Sequence, residues 1–258
     1  MNMLMVGDIV GPDAVAYLAG RLPELCRAYG VDLVVANAEN CAVTAPTPWR
    51  GFGMMVGLVE RLLENGVDVV TSGNHIWDGP EAEAVHRHPR VLRPHNVPEE
   101  AVGKGVVALE IGDEPVSVVN LGSETAAMPR ALPPYESWLA AEPGGHGHRG
   151  LPRGLRVGED GVRHRGGREG GRRPRHAHPR AHDQPPPLAR GTALVVDVGM
   201  TGPSGSPGGF PLEHFAARMK GEDPAPLPPF ELAKGYTTLG AVWLRIEGGK
   251  TLEVERVG

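Results

Sequence analysis

The chain has 258 residues, of which 40% are hydrophobic and 22% charged, with a formal net charge of −5, so one large or two small domains are accommodated and no overall attraction to nucleic acid is indicated. Cys26 and Cys41 are the only cysteines and lack CxxC or metal-ligand spacing, which argues against a disulfide framework and favours a reducing cytoplasm. The first residues form no basic leader and no apolar run reaches membrane-spanning length, so we predict an unanchored cytoplasmic protein.

The first half of the chain alternates apolar runs with amphipathic stretches. Apolar runs at residues 3–6, 33–36 and 67–71 are separated by helical patterns over residues 13–29 and 51–65. Strands that alternate with helices of this length predict a parallel sheet with right-handed crossovers. Because these strands are almost continuously apolar, we expect the sheet to be buried on both faces.

The remaining recognisable elements are β-strands. Hairpins are predicted over residues 106–121 and 241–256, with turns at residues 112–115 and 248–249, and a buried strand is predicted over residues 193–198. The first hairpin implies a second sheet or an added sheet edge. We expect one domain over residues 1–258.

A segment of different character lies at about residues 144–190. Its 47 residues include 11 arginines, 11 glycines, six histidines and six prolines, and no Phe, Trp or Tyr. We predict no strand or helix there. The composition fits a disordered basic insert, a nucleic-acid-binding arm or a histidine tract for metal.

Polar clusters follow the three predicted parallel strands at their carboxyl ends. Asp8 follows the first strand, Glu39 and Asn40 follow the second, and Asn74 and His75 follow the third. Each cluster alone also fits an ordinary helix cap, turn residue or solvated loop histidine. Because the carboxyl ends of parallel strands lie along one edge of a sheet, we expect all five residues to converge in a functional site.

The ligand types at this predicted site indicate a class of metal. Carboxylate, amide and imidazole groups without a thiolate suit hard or borderline divalent ions, with iron or manganese favoured and magnesium as an alternative. Two ions are expected, because a central carboxylate such as Glu39 can bridge metals about 3.5–4 Å apart in phosphoryl-transfer sites. The sequence therefore favours a metal-dependent phosphoesterase.

Four motifs in order resemble the YmdB-type family of calcineurin-like metallophosphoesterases. They are Gly-Asp-Ile-Val-Gly at residues 7–11, Asn-Ala-Glu-Asn at 37–40, Ser-Gly-Asn-His-Ile-Trp-Asp at 72–78 and Asp-Val-Gly-Met-Thr-Gly-Pro at 197–203. The resemblance covers about residues 1–130 and 190–258.

The family resemblance implies a fold, an activity and residue roles. The fold would be an α/β protein, a four-layer α/β/β/α sandwich, and the activity would be hydrolysis of 2',3'-cyclic nucleotides and related phosphodiesters. Asp8, Glu39, Asn40 and Asn74 would be metal ligands, with Glu39 bridging, and His75 would protonate the leaving oxygen. The expected partner is a small phosphate ester rather than a membrane, while an RNA-linked role and a homo-oligomer are left open.

The resemblance is interrupted where the family has Asp-Phe-His-Ala-Glu and Gly-Thr-His-Thr-His, which supply its remaining imidazole ligands. Neither motif is present. With CGN arginine codons, however, residues 175–180 read one nucleotide later permit Gly-Thr-His-Thr-His, and residues 150–153 permit Asp-Phe-His. We therefore hypothesise a +1 frameshift across this segment, ending near residues 188–191. His176 and His178 are not assigned as ligands.

Two alternatives to an active phosphodiesterase remain at this stage. One is a metal-binding or RNA-associated regulatory protein, or a family member impaired by loss of its second histidine-ligand region. The other is a phosphomonoesterase that uses the same site. Near the site, Trp77 and Asp78 are expected to pack against and cap the next helix, with stacking of Trp77 on a substrate base as the alternative. Residues 199–203 fit either a substrate rim or a tight turn.

Overall fold

The structure is a computed structural model that describes residues 1–44, 51–97, 100–122, 154–158, 191–205, 207–222 and 231–258. Within these ranges the helices are α1 (Pro12–Tyr29), α2 (Val56–Glu64), α3 (Ala82–His86) and α4 (Leu212–Met219), and a 3-10 helix covers Pro207–Gly209. The strands are β1 (Asn2–Val6), β2 (Asp8–Ile9), β3 (Leu33–Asn37), β4 (Val69–Thr71), β5 (Val91–Leu92), β6 (Val106–Ile111), β7 (Glu114–Leu121), β8 (Gly154–Gly158), β9 (Met200–Pro203), β10 (Thr237–Thr238), β11 (Ala241–Glu247) and β12 (Lys250–Val257).

A six-stranded sheet forms the centre of the fold, in the order β12-β11-β1-β3-β4-β5. Strands β1, β3, β4 and β5 are mutually parallel, while β11 and β12 add an antiparallel hairpin beside β1. The predicted parallel sheet is therefore confirmed. Its carboxyl edge brings together the chain segments that follow β1, β3 and β4.

The two faces of this sheet are buried in different ways. Along β1, Leu4 and Val6 join the apolar cluster that includes helices α1 and α2. Met3 and Met5 point to the opposite face and join Val118 of β7 in a second cluster. Each fully buried side chain of this size contributes about 1.5–3 kcal/mol. The described residues thus build three successive layers, α/β/β, and the predicted α/β class is confirmed.

Helix α1 shows how local sequence positions the site. Gly11 precedes the helix at φ 87° and Pro12 occupies its first turn, where a missing N–H group costs nothing. Gly30 ends the helix in the left-handed conformation, and its N–H donates to the carbonyl of Cys26. These signals begin α1 at Pro12, four residues after Asp8.

The two predicted hairpins are confirmed, but one predicted helix is shorter. Strands β6 and β7 pair antiparallel, as do β11 and β12, whose turn places Gly248 and Gly249 at positive φ. The helix predicted over residues 51–65 begins only at Val56. Gly53 has φ 104°, and its N–H and carbonyl both bond to the turn after β3, which excludes a helical conformation there.

The strand predicted over residues 193–198 is wrong. Val195 is buried, but Val196 is 68% exposed, and the ladder begins only at Met200. The cause is a local turn: the Asp197 carboxylate accepts a hydrogen bond from the N–H of Gly199 at 2.7 Å, and Gly199 has φ 97°. Apolar composition here reflects packing against the core rather than strand pairing.

The prediction of an irregular segment at residues 144–190 is wrong in one part. Strand β8 lies within it and pairs parallel with β7, with Ser117 opposite Gly154. Hydrogen bonds between main-chain groups form that ladder and do not depend on side-chain type. Leu155 and Val157 alternate with polar or small residues, but this strand pattern is short and the surrounding sequence is rich in arginine and glycine, so no strand is predicted there. The rest of the segment, with His176 and His178, lies outside the described residues.

None of the helices in the described ranges has both the length and the apolar content needed to cross a bilayer. The assignment of residues 1–258 to one domain stays a prediction.

Candidate active site

Two of the predicted ligands, Asp8 and Asn40, meet directly. The Asn40 side-chain amide donates hydrogen bonds to both carboxylate oxygens of Asp8, with Nδ2 to Oδ1 at 2.9 Å and Nδ2 to Oδ2 at 3.0 Å. Asp8 lies in β2, which pairs with β9, so Met200 is its opposite residue. Residues 200–203 are therefore a strand beside Asp8, rather than a tight turn.

The position of Asp8 is fixed by close main-chain crossings at its neighbour Gly7. The Gly7 N–H donates to the Gly240 carbonyl at 2.8 Å, and a methyl group on Gly7 would overlap the Gly199 carbonyl. Gly240 also has no room for a side chain, because a Cβ atom there would lie 2.6 Å from the Met200 nitrogen. Glycine is required at these crossings because there is no space for a side chain.

The Glu39–Asn40 turn is held mainly by its backbone. Glu39 is 6% exposed, and its N–H donates to Asn37 Oδ1 at 3.1 Å. Its carbonyl accepts from the N–H of Gly53 at 2.9 Å, and the Asn40 carbonyl accepts from Gly11 at 3.0 Å. The turn is therefore anchored both to the segment before α2 and to the start of α1.

These residues fit a divalent cation. Asn40 Oδ1 is buried and accepts no hydrogen bond from the described residues, so the amide oxygen of a residue bonded to the Asp8 carboxylate is available to a cation. Oxygen donors of this kind suit hard or borderline divalent ions. Within the described ranges no group of three or more His, Cys, Asp or Glu side chains is placed to hold a metal ion. The donor set here consists of two carboxylates, Asp8 and Glu39, and the amide of Asn40.

Cys41 follows Asn40 and is a neutral thiol in this structure. Its side chain is completely buried. Burial, together with the negative charge of Asp8, raises the pKa of the thiol to about 12. Cys41 is therefore a neutral packing residue at physiological pH.

The second pair of predicted site residues, Asn74 and His75, forms a different kind of cluster. His75 Nδ1 lies 2.8 Å from Asp78 Oδ2, and His75 Nε2 lies 3.2 Å from Asn74 Nδ2. With the Nδ1 proton donated in a hydrogen bond to the carboxylate, Nε2 of the neutral ring accepts a hydrogen bond from the Asn74 amide. Protonation of the ring would place its second N–H at Nε2, on the side of Asn74.

The side chain of Phe52 lies on the face of the His75 ring. The ring centroids are 4.2 Å apart and the planes are inclined by only 21°. Next to it, Gly53 contacts both halves of the site: its N–H donates to the Glu39 carbonyl, and a Cβ atom on it would lie 2.7 Å from the Asp78 carbonyl. The Glu39 turn and the His75 turn therefore meet at Gly53.

Sequence reasoning missed two residues of this site. Asp78 was expected to cap the next helix, but it bonds to His75, and α3 begins after Glu81 without a side-chain cap. Trp77, which was expected to pack, is not a missed site residue and has a side chain that is 46% exposed. The second missed residue is Phe52, for which the sequence carries no signal except the two flanking glycines. The spacing of three residues between His75 and Asp78 was the one visible sign of their pairing.

Comparisons with known proteins agree with this architecture. The family model described as YmdB-like protein matches residues 4–141. The 2',3'-cyclic-nucleotide 2'-phosphodiesterase of Bacillus subtilis is 29% identical over 270 residues, which cover 100% of this chain and 96% of that protein.

Two solved structures resemble the whole chain. A hypothetical protein of Thermus thermophilus is 26% identical, with a TM-score of 0.75 and coverage of 100% of this chain and 98% of the other. A novel phosphatase of Mycoplasma pneumoniae is 21% identical, with a TM-score of 0.78 and coverage of 100% and 92%. At these identities the likeness establishes a shared fold, which is the fold of a phosphatase structure.

Proposed function

The chain belongs to the YmdB-like protein family, and we propose that it is a metal-dependent phosphodiesterase that hydrolyses 2',3'-cyclic nucleotides or related phosphate esters. One observation carries the proposal: the oxygen cluster of Asp8 and Asn40 and the imidazole of His75, oriented by Asp78, follow adjacent parallel strands at one sheet edge. The named activity of the Bacillus subtilis relative supports the choice of substrate.

In this proposal Asp8, Glu39, Asn40 and Asn74 would hold two divalent metal ions, with Glu39 as the ligand common to both. When bound, such ions neutralise phosphate charge and make the attacking water more acidic. Iron or manganese is proposed, with magnesium as the alternative, because the donors are oxygen and nitrogen atoms without a thiolate. Buried Asn40 Oδ1 supports a cation at this position.

His75 is proposed as the general acid. Water oxygen adds to phosphorus, the bond from phosphorus to a ribose oxygen breaks, and the protonated ring gives its Nε2 proton to that departing oxygen. The neutral ring regains a proton from solvent, which balances the proton released by the attacking water. Asp78 keeps its hydrogen bond to Nδ1 throughout, so Nε2 is the atom that exchanges the proton.

Two substitutions test the division of roles. His75→Ala should lower kcat for a 2',3'-cyclic nucleotide by about 10²–10⁴-fold, the usual contribution of a general acid, while metal content stays unchanged. Asp8→Ala should lower metal content and turnover together. His88→Ala and Asp13→Asn change a partly exposed histidine and an exposed carboxylate outside the site and serve as matched controls. Normal turnover by the His75 variant would contradict the assignment of the acid.

A second candidate function is favoured by the middle of the sequence. The family match ends at residue 141, close to the start of the segment that lacks the two histidine motifs. A chain without those ligands would bind metal through Asp8, Glu39 and Asn40 but turn over slowly or not at all. Metal analysis with a hydrolysis assay on the same wild-type preparation separates the two: bound metal without turnover supports the impaired or regulatory protein.

The cytoplasm is the proposed location, supported by the two free cysteines, Cys26 and Cys41. The gene sequence across codons 140 to 192 tests the frameshift hypothesis. An in-frame reading together with the matching intact-protein mass would contradict it.

A further inference from the structure

The contact between Phe52 and His75 points to a role for an aromatic residue in the proposed reaction. We propose that Phe52 is a positioning residue, which holds the His75 imidazole at the orientation needed for proton transfer to the departing oxygen. This inference rests on the proposed function, because it takes His75 as the acid. The stacked geometry, with centroids 4.2 Å apart and planes at 21°, carries it.

The stacked ring supplies a restraint that the hydrogen bonds of His75 lack. The hydrogen bond from Nδ1 to Asp78 holds one edge of the ring in both protonation states, whereas Nε2 accepts from Asn74 only when the ring is neutral. A bond at the ring edge only weakly resists tilting of the ring plane. A flat ring against the imidazole face opposes the tilt, so Asp78 and Phe52 together fix the orientation of Nε2 in the protonated acid.

Phe52 is itself placed by rigid backbone. The next residue, Gly53, is buried and left-handed at φ 104°, its N–H donates to Glu39, and its carbonyl accepts from the N–H of Ala42 at 3.1 Å. The Gly53 backbone also lies close to the Asp78 carbonyl, so close that a Cβ atom at position 53 would meet it. Gly53 therefore packs directly against the turn that carries His75. Phe52 is therefore tied to the metal-ligand turn and to the histidine turn at once.

A second aromatic residue supports Phe52 from the C-terminal part of the chain. The edge of one ring meets the face of the other between Phe52 and Phe210, with centroids 5.9 Å apart and planes at 70°. Such edge-to-face pairs are a favoured aromatic geometry. Residues near the 3-10 helix thus help to define the position of the ring that lies on His75.

The test uses the difference between good and poor leaving groups. A ribose oxygen leaves poorly without a proton, whereas nitrophenolate leaves without one, so only the first reaction needs a correctly placed acid. Phe52→Leu should lower kcat for 2',3'-cyclic AMP by about 10- to 100-fold, with KM unchanged, because a small misplacement of a catalytic group has effects of that size. Its hydrolysis of bis(p-nitrophenyl) phosphate should stay near the wild-type rate.

Three comparisons make this result specific. Phe52→Tyr keeps the ring and should restore the rate on the cyclic nucleotide. Tyr29→Leu removes a different aromatic contact, the tilted pair with Trp243 at 5.9 Å, and should affect both substrates equally or not at all. Phe52→Met keeps apolar volume without a flat face and provides a second variant if the leucine protein does not fold.

A readout independent of turnover is the proton resonance of the His75 ring. In protein loaded with diamagnetic Mg²⁺, the ring current of a stacked phenylalanine shifts the carbon-bound imidazole protons upfield, and this shift should disappear in Phe52→Leu while the His88 resonances stay in place. Unmoved His75 resonances would overturn the proposal even in a preparation that lacks activity.

The outcomes also separate this inference from the proposed function. If His75→Ala slows both substrates equally, the acid role itself fails. If His75→Ala is selective for the cyclic nucleotide but Phe52→Leu slows both substrates in parallel, Phe52 is only a packing residue. A rise in KM that differs between purine and pyrimidine cyclic nucleotides would instead make Phe52 a base-binding surface, and that result too would overturn the positioning role.

Discussion

The two halves of the candidate site are held in place by different means. Asp8 and the Glu39–Asn40 turn are fixed by main-chain contacts, at the Gly7 crossing and through bonds from Gly11 and Gly53. His75 is fixed by side chains, with Asp78 and Asn74 at its nitrogens and Phe52 on its face. Stability should therefore fall when a substitution adds a side chain at the Gly7 position of the first half. In the second half, activity should fall when a substitution removes a side-chain contact of His75.

The largest expected effect comes from adding one methyl group to the main-chain half. Gly7→Ala would place a Cβ atom on the Gly199 carbonyl, and backbone cannot yield as a flexible side chain does. We expect a loss of about 3 kcal/mol in the free energy of unfolding, at the upper end of overpacking effects. Urea unfolding measures it, and cyclic-nucleotide turnover should fall as Asp8 moves.

The matched control is Gly20→Ala within α1, where a Cβ atom would meet nothing within 4 Å. Alanine is the better helix former, so this variant should be more stable than wild type by about 0.5–1 kcal/mol. Equal stability of Gly7→Ala and Gly20→Ala would show that the close main-chain contact at Gly7 does not fix the position of Asp8.

The side-chain half should show the reverse pattern, with activity lost and stability retained. Asp78→Asn keeps the size of the side chain but removes the negative charge that faces His75 Nδ1. We expect kcat for the cyclic nucleotide to fall by about 10- to 100-fold, since the imidazole loses its orientation. The Asp78 side chain is 43% exposed, so solvent screening limits the change in unfolding free energy to less than about 1 kcal/mol.

Glu83→Gln provides the comparison for Asp78→Asn. Glu83 pairs with Arg87 at 3.1 Å, and both side chains are well exposed. Its loss should change neither turnover nor stability measurably. If Asp78→Asn behaves in the same way, the ion pair with His75 has no role in orienting the ring.

The sequence was informative wherever function depends on strand order. The clusters at Asp8, Asn40 and His75 were predicted because apolar runs locate strand ends, and parallel pairing then brings those ends to one edge. Their convergence required no knowledge of side-chain conformation. The same reasoning gave both hairpins, since Gly248 and Gly249 fit the positive φ angles of a two-residue turn.

The sequence misled where a local turn or a tertiary contact overrides composition. Residues 193–198 are as apolar as a strand, yet a local turn at Asp197 interrupts the chain before pairing begins at Met200. Strand β8 pairs with β7 despite an unfavourable composition. The contact of Phe52 with His75 could not be predicted, because the two residues are far apart in sequence and Gly53, at positive φ, lies against the Asp78 carbonyl.

The smallest expected effect concerns the support beneath the side-chain half. Ser72, two residues before Asn74, has its hydroxyl 3.0 Å from the Nε2 atom of buried His86, and its carbonyl accepts from the Asn120 amide at 2.6 Å. Burial lowers the pKa of His86 below its ordinary value, with the Ala82 carbonyl opposing and the charge of Arg93 reinforcing the shift. The contact between Ser72 and His86 therefore involves a side chain that gains a proton as the pH falls, whereas the main-chain contacts around Asp8 do not.

The sign of the pH effect follows from that lowered pKa. The unfolded chain binds a proton at His86 near pH 6.5, whereas the folded chain does so only at lower pH. The stabilising contribution of the neutral ring is therefore complete above pH 6.5 and is lost as the pH falls through the pKa of the folded state. One proton accounts for at most about 1.4 kcal/mol per pH unit.

His86→Gln should flatten the dependence of unfolding free energy on pH between 7.5 and 5, while His88→Ala should not, and urea unfolding at several pH values measures both. Parallel curves for wild type and His86→Gln would mean that the ring beneath Ser72 does not titrate differently in the folded state.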